Sequence, residues 1–125
     1  MINVKHFMDA VEKEDGQRIW VEPIGCATQF RDWCEIDHVL SHLGPPAALW
    51  TWFEEHPDGW DYFRTKYHEH LLSGPYREAL QRLACAAVRE PVTLLHQSDD
   101  PQHNTAVALH ELLTELEAYC PRDAE

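Results

Sequence analysis

The spacing of apolar residues changes several times along this chain. From Ile2 to Phe7 apolar and polar residues alternate, which predicts a short strand. A charged turn, Glu12-Lys13-Glu14-Asp15-Gly16, leads to Arg18-Ile19-Trp20-Val21-Glu22, whose β-branched and aromatic residues predict a second strand ending at Pro23. Residues 25–28 read as a loop. Asp32-Trp33-Cys34-Glu35 has the form of a capping box. Trp33, Ile36, Leu40 and Leu43 then recur at helical spacing, which predicts a helix burying that stripe and stopped by Gly44-Pro45-Pro46. A second helix carries Leu49, Trp52 and Phe53, and a third carries Trp60, Phe63, Tyr67 and Leu71. A fourth carries Tyr76, Leu80, Leu83, Ala84 and Ala87 and closes at Glu90-Pro91. Val92-Thr93-Leu94-Leu95-His96 is a short apolar run between breakers, the pattern of a strand buried on both faces. After the polar loop Gln97 to Gln102, a last helix begins near Pro101, carries Val107 to Tyr119 and ends at Pro121.

Strands separated by helices predict an α/β layer fold with a small sheet of about three core strands, mostly helical. The 125 residues are expected to form a single domain over 1–121, followed by a tail at 122–125. No apolar run approaches the length of a membrane span, and Met1 to Lys5 does not have the pattern of a signal peptide. The four cysteines, Cys26, Cys34, Cys85 and Cys120, form no C-x-x-C pair, and a chain of this size needs no staples. Reduced thiols and a cytoplasmic location are therefore expected. The formal net charge of −12 repels phosphate backbones and anionic lipids, which argues against broad nucleic-acid or membrane binding. Nine histidines make that charge pH-dependent.

Three segments taken together carry a family resemblance. Asp15-Gly16-x-Arg18 leads a strand, and Trp52-Phe53 is followed by Pro57, Trp60, Phe63 and Tyr67. Val92-Thr93-Leu94-Leu95 is followed by Asp100-x-x-His103-Asn104-x-Ala106-Val107-x-Leu109. In this combination the chain resembles the uncharacterised domain-of-unknown-function 488 family, in its short YeaO-like branch, from about residue 2 to about residue 116. The resemblance implies a compact Rossmann-like α/β domain and brings no established activity. Where the family typically has Asp-Arg-Leu-Trp-Pro-Arg-Gly after its second strand, this chain has Glu22-Pro23-Ile24-Gly25-Cys26-Ala27-Thr28. Ser41 replaces a typical Lys, Trp50 a typical Arg, and Thr105 the second His of a His-Asn-His. Loss of these basic groups implies a divergent member with altered or lost activity.

Ligands of open α/β sheets sit beyond the carboxyl ends of the strands. That rim should gather Glu22, Cys26 and Thr28 from one loop and Ser98, Asp99, His103 and Asn104 from another. Glu22 is the candidate acid/base or polar anchor and His103 the candidate proton carrier. Arg18 would support Glu22, while Thr28, Ser98, Asp99 and Asn104 would contact the ligand. The last helix's first N–H groups could hold a small anion. The bland alternative is that Asp99 or Asp100 caps that helix and His103 and Asn104 complete the turn. Cys26-x4-Arg31 has a rhodanese-like spacing but lacks the glycines such a loop uses. Cys34, His38 and His42, four residues apart, would share one helix face and form a weak metal site. His68 and His70 diverge on a helix. Trp52, Phe53, Trp60 and Phe63 belong to the core, whereas Trp50 and Tyr62 lie off the stripes and could cover a ligand or partner. No motif assigns a cofactor. The expected function is small-ligand binding or catalysis at the rim. The alternatives are an acidic protein-interaction module without catalysis and a metal-binding protein.

Overall fold

A computed structural model describes residues 1–23 and 33–121 of the chain. Four parallel strands form one sheet: β1 (Ile2–His6), β2 (Gln17–Trp20), β3 (His38–Val39) and β4 (Val92–His96), in the order β1-β4-β2-β3. β4 is central. Val92 to His96 face Ile2 to His6 on one side, and Val92 to Leu95 face Gln17 to Trp20 on the other. All five of its residues are buried, as the unbroken apolar run predicts.

Four helices lie wholly within the described residues: α1 (Ala47–Glu55), α2 (Trp60–Leu72), α3 (Tyr76–Arg89) and α4 (Thr105–Leu116). Each boundary has a local cause. Pro46, Gly59 and Pro75 precede α1, α2 and α3, and Pro91 stands just beyond α3. Asn104 caps α4, its Oδ1 accepting the Val107 N–H at 2.9 Å. The last helix therefore starts four residues later than Pro101, because residues 101–104 form the capped turn. α2 buries Phe63, Tyr67 and Leu71, and α3 buries Leu80, Ala84 and Ala87. α4 buries seven of its twelve residues. These side chains close the main core over Ile2, Ile19, Val21, Val92 and Leu94. The opposite face of the sheet carries a smaller cluster of Trp20, Leu95, Cys34 and Ile36, with Phe7 and Val39 against it.

The segment from Cys34 to Leu43 departs from the expected helix. Glu35 has a φ of +51°, His38–Val39 forms β3, and Ser41–Leu43 is a short 3-10 turn. The Asp37 N–H donates to the Arg18 carbonyl and the Leu40 N–H to the Trp20 carbonyl, both at 2.8 Å. The open edge of β2 supplies partners that a helix here would leave unmet, and these outweigh the local helical pattern. Trp33, expected in the core, is consequently 73% exposed, while Ile36 and Leu43 are buried in different clusters. The capping acid Asp32 lies outside the described residues. The sheet thus has four strands rather than about three, and helices account for about half the chain rather than most of it.

At the amino end of the sheet, Arg18 is 2% exposed. Its Nη1 donates to Asp15 at 2.6 Å and its Nε to the Cys34 carbonyl at 3.0 Å. Lys5 donates to the other Asp15 oxygen at 2.9 Å. Gly16 makes this turn possible: φ is +63°, and a Cβ there would stand 2.1 Å from the Pro91 carbonyl oxygen.

Reduced thiols do not describe all four cysteines. Cys85 on α3 and Cys120 beyond α4 form a disulfide, with Gln81 donating to both sulfurs. Cys34 is free and buried, and Cys26 lies outside the described residues. The two bonded cysteines meet because α3 and α4 pack side by side, a proximity that their separation of 35 residues does not reveal. A crosslink closing a loop of this length contributes about 2–4 kcal/mol by restricting the unfolded chain. Cys85→Ser/Cys120→Ser is expected to lower the urea midpoint by a corresponding amount. Reduction of the wild type should reproduce the loss, and an unchanged midpoint in both would mean the bond does not form in solution.

Candidate functional site

Because all strands are parallel, their carboxyl ends share one edge. There the chain leaves β2 through Val21 and Glu22, and β4 through Gln97. A cavity of about 490 Å³ opens at this edge. Its floor is Glu22 with Asn104 and Thr105, and one side is the loop Gln97, Ser98, Asp99 and Asp100. Trp50, Phe53 and Glu54 of α1 form another side, and His103 completes the lining.

Two contacts set α1 over Glu22. The buried Tyr67 hydroxyl donates to the Leu43 carbonyl at 2.6 Å, holding the turn that precedes α1. Gly44 lets that turn approach β2's exit, since a Cβ would lie 2.6 Å from the Val21 carbonyl oxygen. Pro45-Pro46 then starts the helix. His103 stacks on Trp60 with ring centroids 4.8 Å apart, and Phe53 stacks on Phe63 at 4.4 Å. The aromatic wall is thereby continuous with the core.

Glu22 is 2% exposed. Its Oε2 accepts the Gln97 N–H at 3.0 Å, but its Oε1 is buried and has no hydrogen-bond partner. Burial raises its pKa. The Gln97 N–H and the facing Thr105 and Trp50 side chains oppose that shift without saturating Oε1, and Glu54 adds to it. An unmet buried acceptor costs about 1–3 kcal/mol, more when charged, so its retention asks for an explanation.

The structure brings Glu22, Ser98, Asp99, His103 and Asn104 to this one cavity. It does not bring Arg18 there: that guanidinium is held by Asp15 and Cys34 at the opposite end of β2. Thr28, like the Cys26-x4-Arg31 pattern, lies outside the described residues. Capping accounts for part of the second loop, with a different residue in the lead. Asn104 rather than Asp99 or Asp100 caps α4, and Asp100 accepts the Gln102 and His103 N–H groups instead. Asn104 Nδ2 also donates to the Asp100 carbonyl at 2.8 Å, so both ends of that amide are engaged. Asp100 Oδ2 lies 3.8 Å from His103 Nδ1.

The metal face dissolves with the helix that carried it. Cys34 is buried beside Met8, His38 on β3 pairs with Gln17 at 2.9 Å, and His42 sits on the 3-10 turn. Among the described residues, no group of three His, Cys, Asp or Glu could hold a metal ion. His68 bonds the Ala108 carbonyl and His70 packs against Tyr76 with the rings tilted by 39°, so they do diverge. Of the two aromatics off the helical stripes, Trp50 lines the cavity. Tyr62 packs on Trp52 at the surface.

The sequence reading passed over Gln97, Phe53 and Glu54 as lining groups, and it missed a histidine pair. His6 and His96, register partners at the ends of β1 and β4, meet edge to face at 5.5 Å. They line a second cavity of about 430 Å³ with Asp9, Ser98 and Asp99. Ser98 and Asp99 border both cavities, so their loop is a partition. Burial, assisted by His6, lowers the His96 pKa to about 4. Its Nδ1 accepts the Ser98 N–H at 3.2 Å, which leaves the proton of the neutral ring on Nε2. Their positions at the ends of two candidate strands were the available signal; the pairing of those strands was not.

A small parallel α/β sheet with a ligand-sized cavity at its carboxyl edge defines the class of this protein. The chain belongs to the family described as the inactive DUF488-N3 subclade, whose model matches residues 1–124. It is similar to the uncharacterized protein Mb3100c of Mycobacterium bovis and to the uncharacterized protein Rv3073c of Mycobacterium tuberculosis. Each is 25% identical over 92 residues, covering 74% of this chain and 78% of the relative. No solved structure matches the chain. The family expected from the sequence is thus the family found, in a branch whose description is inactive. Trp50 and Thr105, two positions where the chain departs from the expected family residues, line the cavity together with Glu22, where the family's acid is kept as a Glu.

Two pH effects follow from these burials. Glu22 has a raised folded pKa, so its burial costs stability as pH rises through that pKa and costs nothing below the unfolded value near 4.5. Glu22→Gln should therefore raise the melting temperature at pH 7, and the difference from wild type should vanish toward pH 4. A lower melting temperature at pH 7 would contradict this. His96 has a lowered folded pKa, so the stability tied to its neutral ring is present above about 6.5 and lost as pH falls toward about 4. His96→Gln should flatten that part of the stability profile in urea titrations at stepped pH. A profile as steep as wild type would assign the acid loss elsewhere.

Proposed function

We propose that this protein is a small-molecule-binding domain that holds its ligand at the carboxyl edge of the sheet without transforming it. The observation that carries this reading is the Glu22 carboxylate, buried with one oxygen unmet at the floor of a cavity of about 490 Å³. Among the described residues Arg18 Nη2 and Ser41 Oγ are also buried without partners, but only Glu22 of these three lines the cavity. A ligand that supplies the missing donor makes it a binding anchor. Of the two roles open to Glu22, acid/base or anchor, the inactive description of the family favours the anchor. His103 then presents a polar edge to the ligand from its stack on Trp60, Ser98 and Asp99 contact it from the partition loop, and Asn104 holds the end of α4. The layout, an all-parallel sheet with its site where strands end, is the one a Rossmann-like domain uses, and this reading places the protein among them. No helix among the described residues is long and apolar enough to cross a membrane, and the Cys85–Cys120 bond removes the reduced-thiol argument for a cytoplasmic setting.

A second reading, an acidic interaction module, is favoured by a different observation. Trp33 is 73% exposed beside Met8 and Val11, around a shallow depression of about 290 Å³ on the opposite face of the sheet from the helices. One experiment separates the two. In a fragment screen followed by amide and indole NMR shifts, hits are expected to move Gln97 to Asn104 and the Trp50 indole. Ser98→Trp, which fills the cavity, should abolish those shifts while leaving the melting temperature within a few degrees. Hits confined to the region of Met8 and Trp33 would favour the interaction module and remove the cavity reading.

A further inference from the structure

The chemistry of this cavity also restricts what it can hold, an argument that rests on the binding reading above. The unmet group at the floor, Glu22 Oε1, is an acceptor, and the two donors nearest the carboxyl already face it from Thr105 and Trp50. A ligand must therefore bring a donor. Three further carboxylates, Glu54, Asp99 and Asp100, stand around the mouth, and no Lys or Arg is among the described residues lining it. Opposing them is the amino end of α4, equivalent to about half a positive charge, part of whose N–H complement the Asn104 side chain already takes. Among the described residues full negative charges outnumber that half charge, so their field disfavours anions and favours cations in the cavity. The small anion that the helix start suggested from sequence does not fit it. The walls add a shape. Trp50 and Phe53 present aromatic surface on one side, and His103, backed by Trp60, presents another flat ring.

We infer that the ligand is a cation with N–H donors on or beside a flat apolar group, an aryl amidinium or aryl amine being the simplest form, with its N–H directed at Glu22 Oε1. Such a pair gives a charge-assisted hydrogen bond in a site shielded from water, while the ring packs between the aromatic walls.

A matched series tests the class. Benzamidine, benzamide and benzoate have nearly the same shape and carry a positive, a neutral and a negative head. Binding is followed by the Trp50 indole N–H and the Gln97 amide in NMR titrations of the full chain. Benzamidine is expected to bind at least tenfold more tightly than benzamide, and benzoate to leave both resonances unmoved. A charge-assisted hydrogen bond is worth roughly tenfold or more in affinity, so Glu22→Gln should weaken benzamidine by about that factor. Glu54→Gln, at the exposed mouth, should weaken it about twofold, an effect that salt removes. Equal affinity for benzamide and benzamidine overturns the cationic assignment. So does benzamidine binding that Glu22→Gln leaves unchanged. Benzoate binding on the same two resonances overturns the class while leaving the cavity as a binding site. Silence from all three compounds and from the fragment screen overturns the class and the binding reading together.

Discussion

The structure depends on β4 being buried on both faces and paired on both edges. A strand in that position has no route to water for its backbone, so β1 and β2 must both pair with it. Its side chains must also be covered above and below, which α4 does on one face and the cluster around Trp20 and Cys34 does on the other. Parallel pairing follows through all four strands, and it collects every carboxyl end at one edge. The two cavities and the loop between them exist because β4 ends there.

At that edge the protein departs from what stability alone would select. Glu22 stands two residues beyond β2, where the chain is still inside the core, and its carboxyl is taken out of water without full compensation. At the other end of the sheet a comparable carboxylate is satisfied, although Arg18 Nη2 beside it is buried without a hydrogen-bond partner. Asp15 receives Arg18 and Lys5, and the Thr93 hydroxyl donates to its carbonyl. One fold thus holds a satisfied buried carboxylate and an unsatisfied one at opposite ends of the same strands. The contrast supports a binding role for Glu22, whose Oε1 stays without a partner although Trp50 of α1 and Thr105 of α4 stand close to the carboxyl.

The helices α1 to α4 and the strands β1, β2 and β4 were legible because long stretches kept one period and were punctuated by Pro and Gly. Residues 34–43 were misread for a specific reason. Trp33, Ile36, Leu40 and Leu43 keep helical spacing, but the vacant edge of β2 offered hydrogen bonds that the local pattern could not anticipate. The metal face and the exposed Trp33 were errors inherited from that one element. Within the site, Glu22, Ser98, Asp99, His103 and Asn104 were found from their places at predicted strand ends. Arg18 does not reach Glu22 because it stands at the start of the strand that Glu22 follows, and Asp15 and the Cys34 carbonyl hold it there.

From the sequence alone come the α/β class, the buried central strand, the approximate places of the four long helices, the acidic charge and the family. These are local or additive properties, carried by period, breakers and composition. Strand order, the third strand on the edge of β2, the Cys85–Cys120 bond and the His6–His96 pair are decided only in three dimensions, since each joins segments with no local sign of one another. The unmet oxygen of Glu22 belongs with them. Whether a buried acceptor has a partner depends on every element packed around it, and no stretch of sequence contains that information.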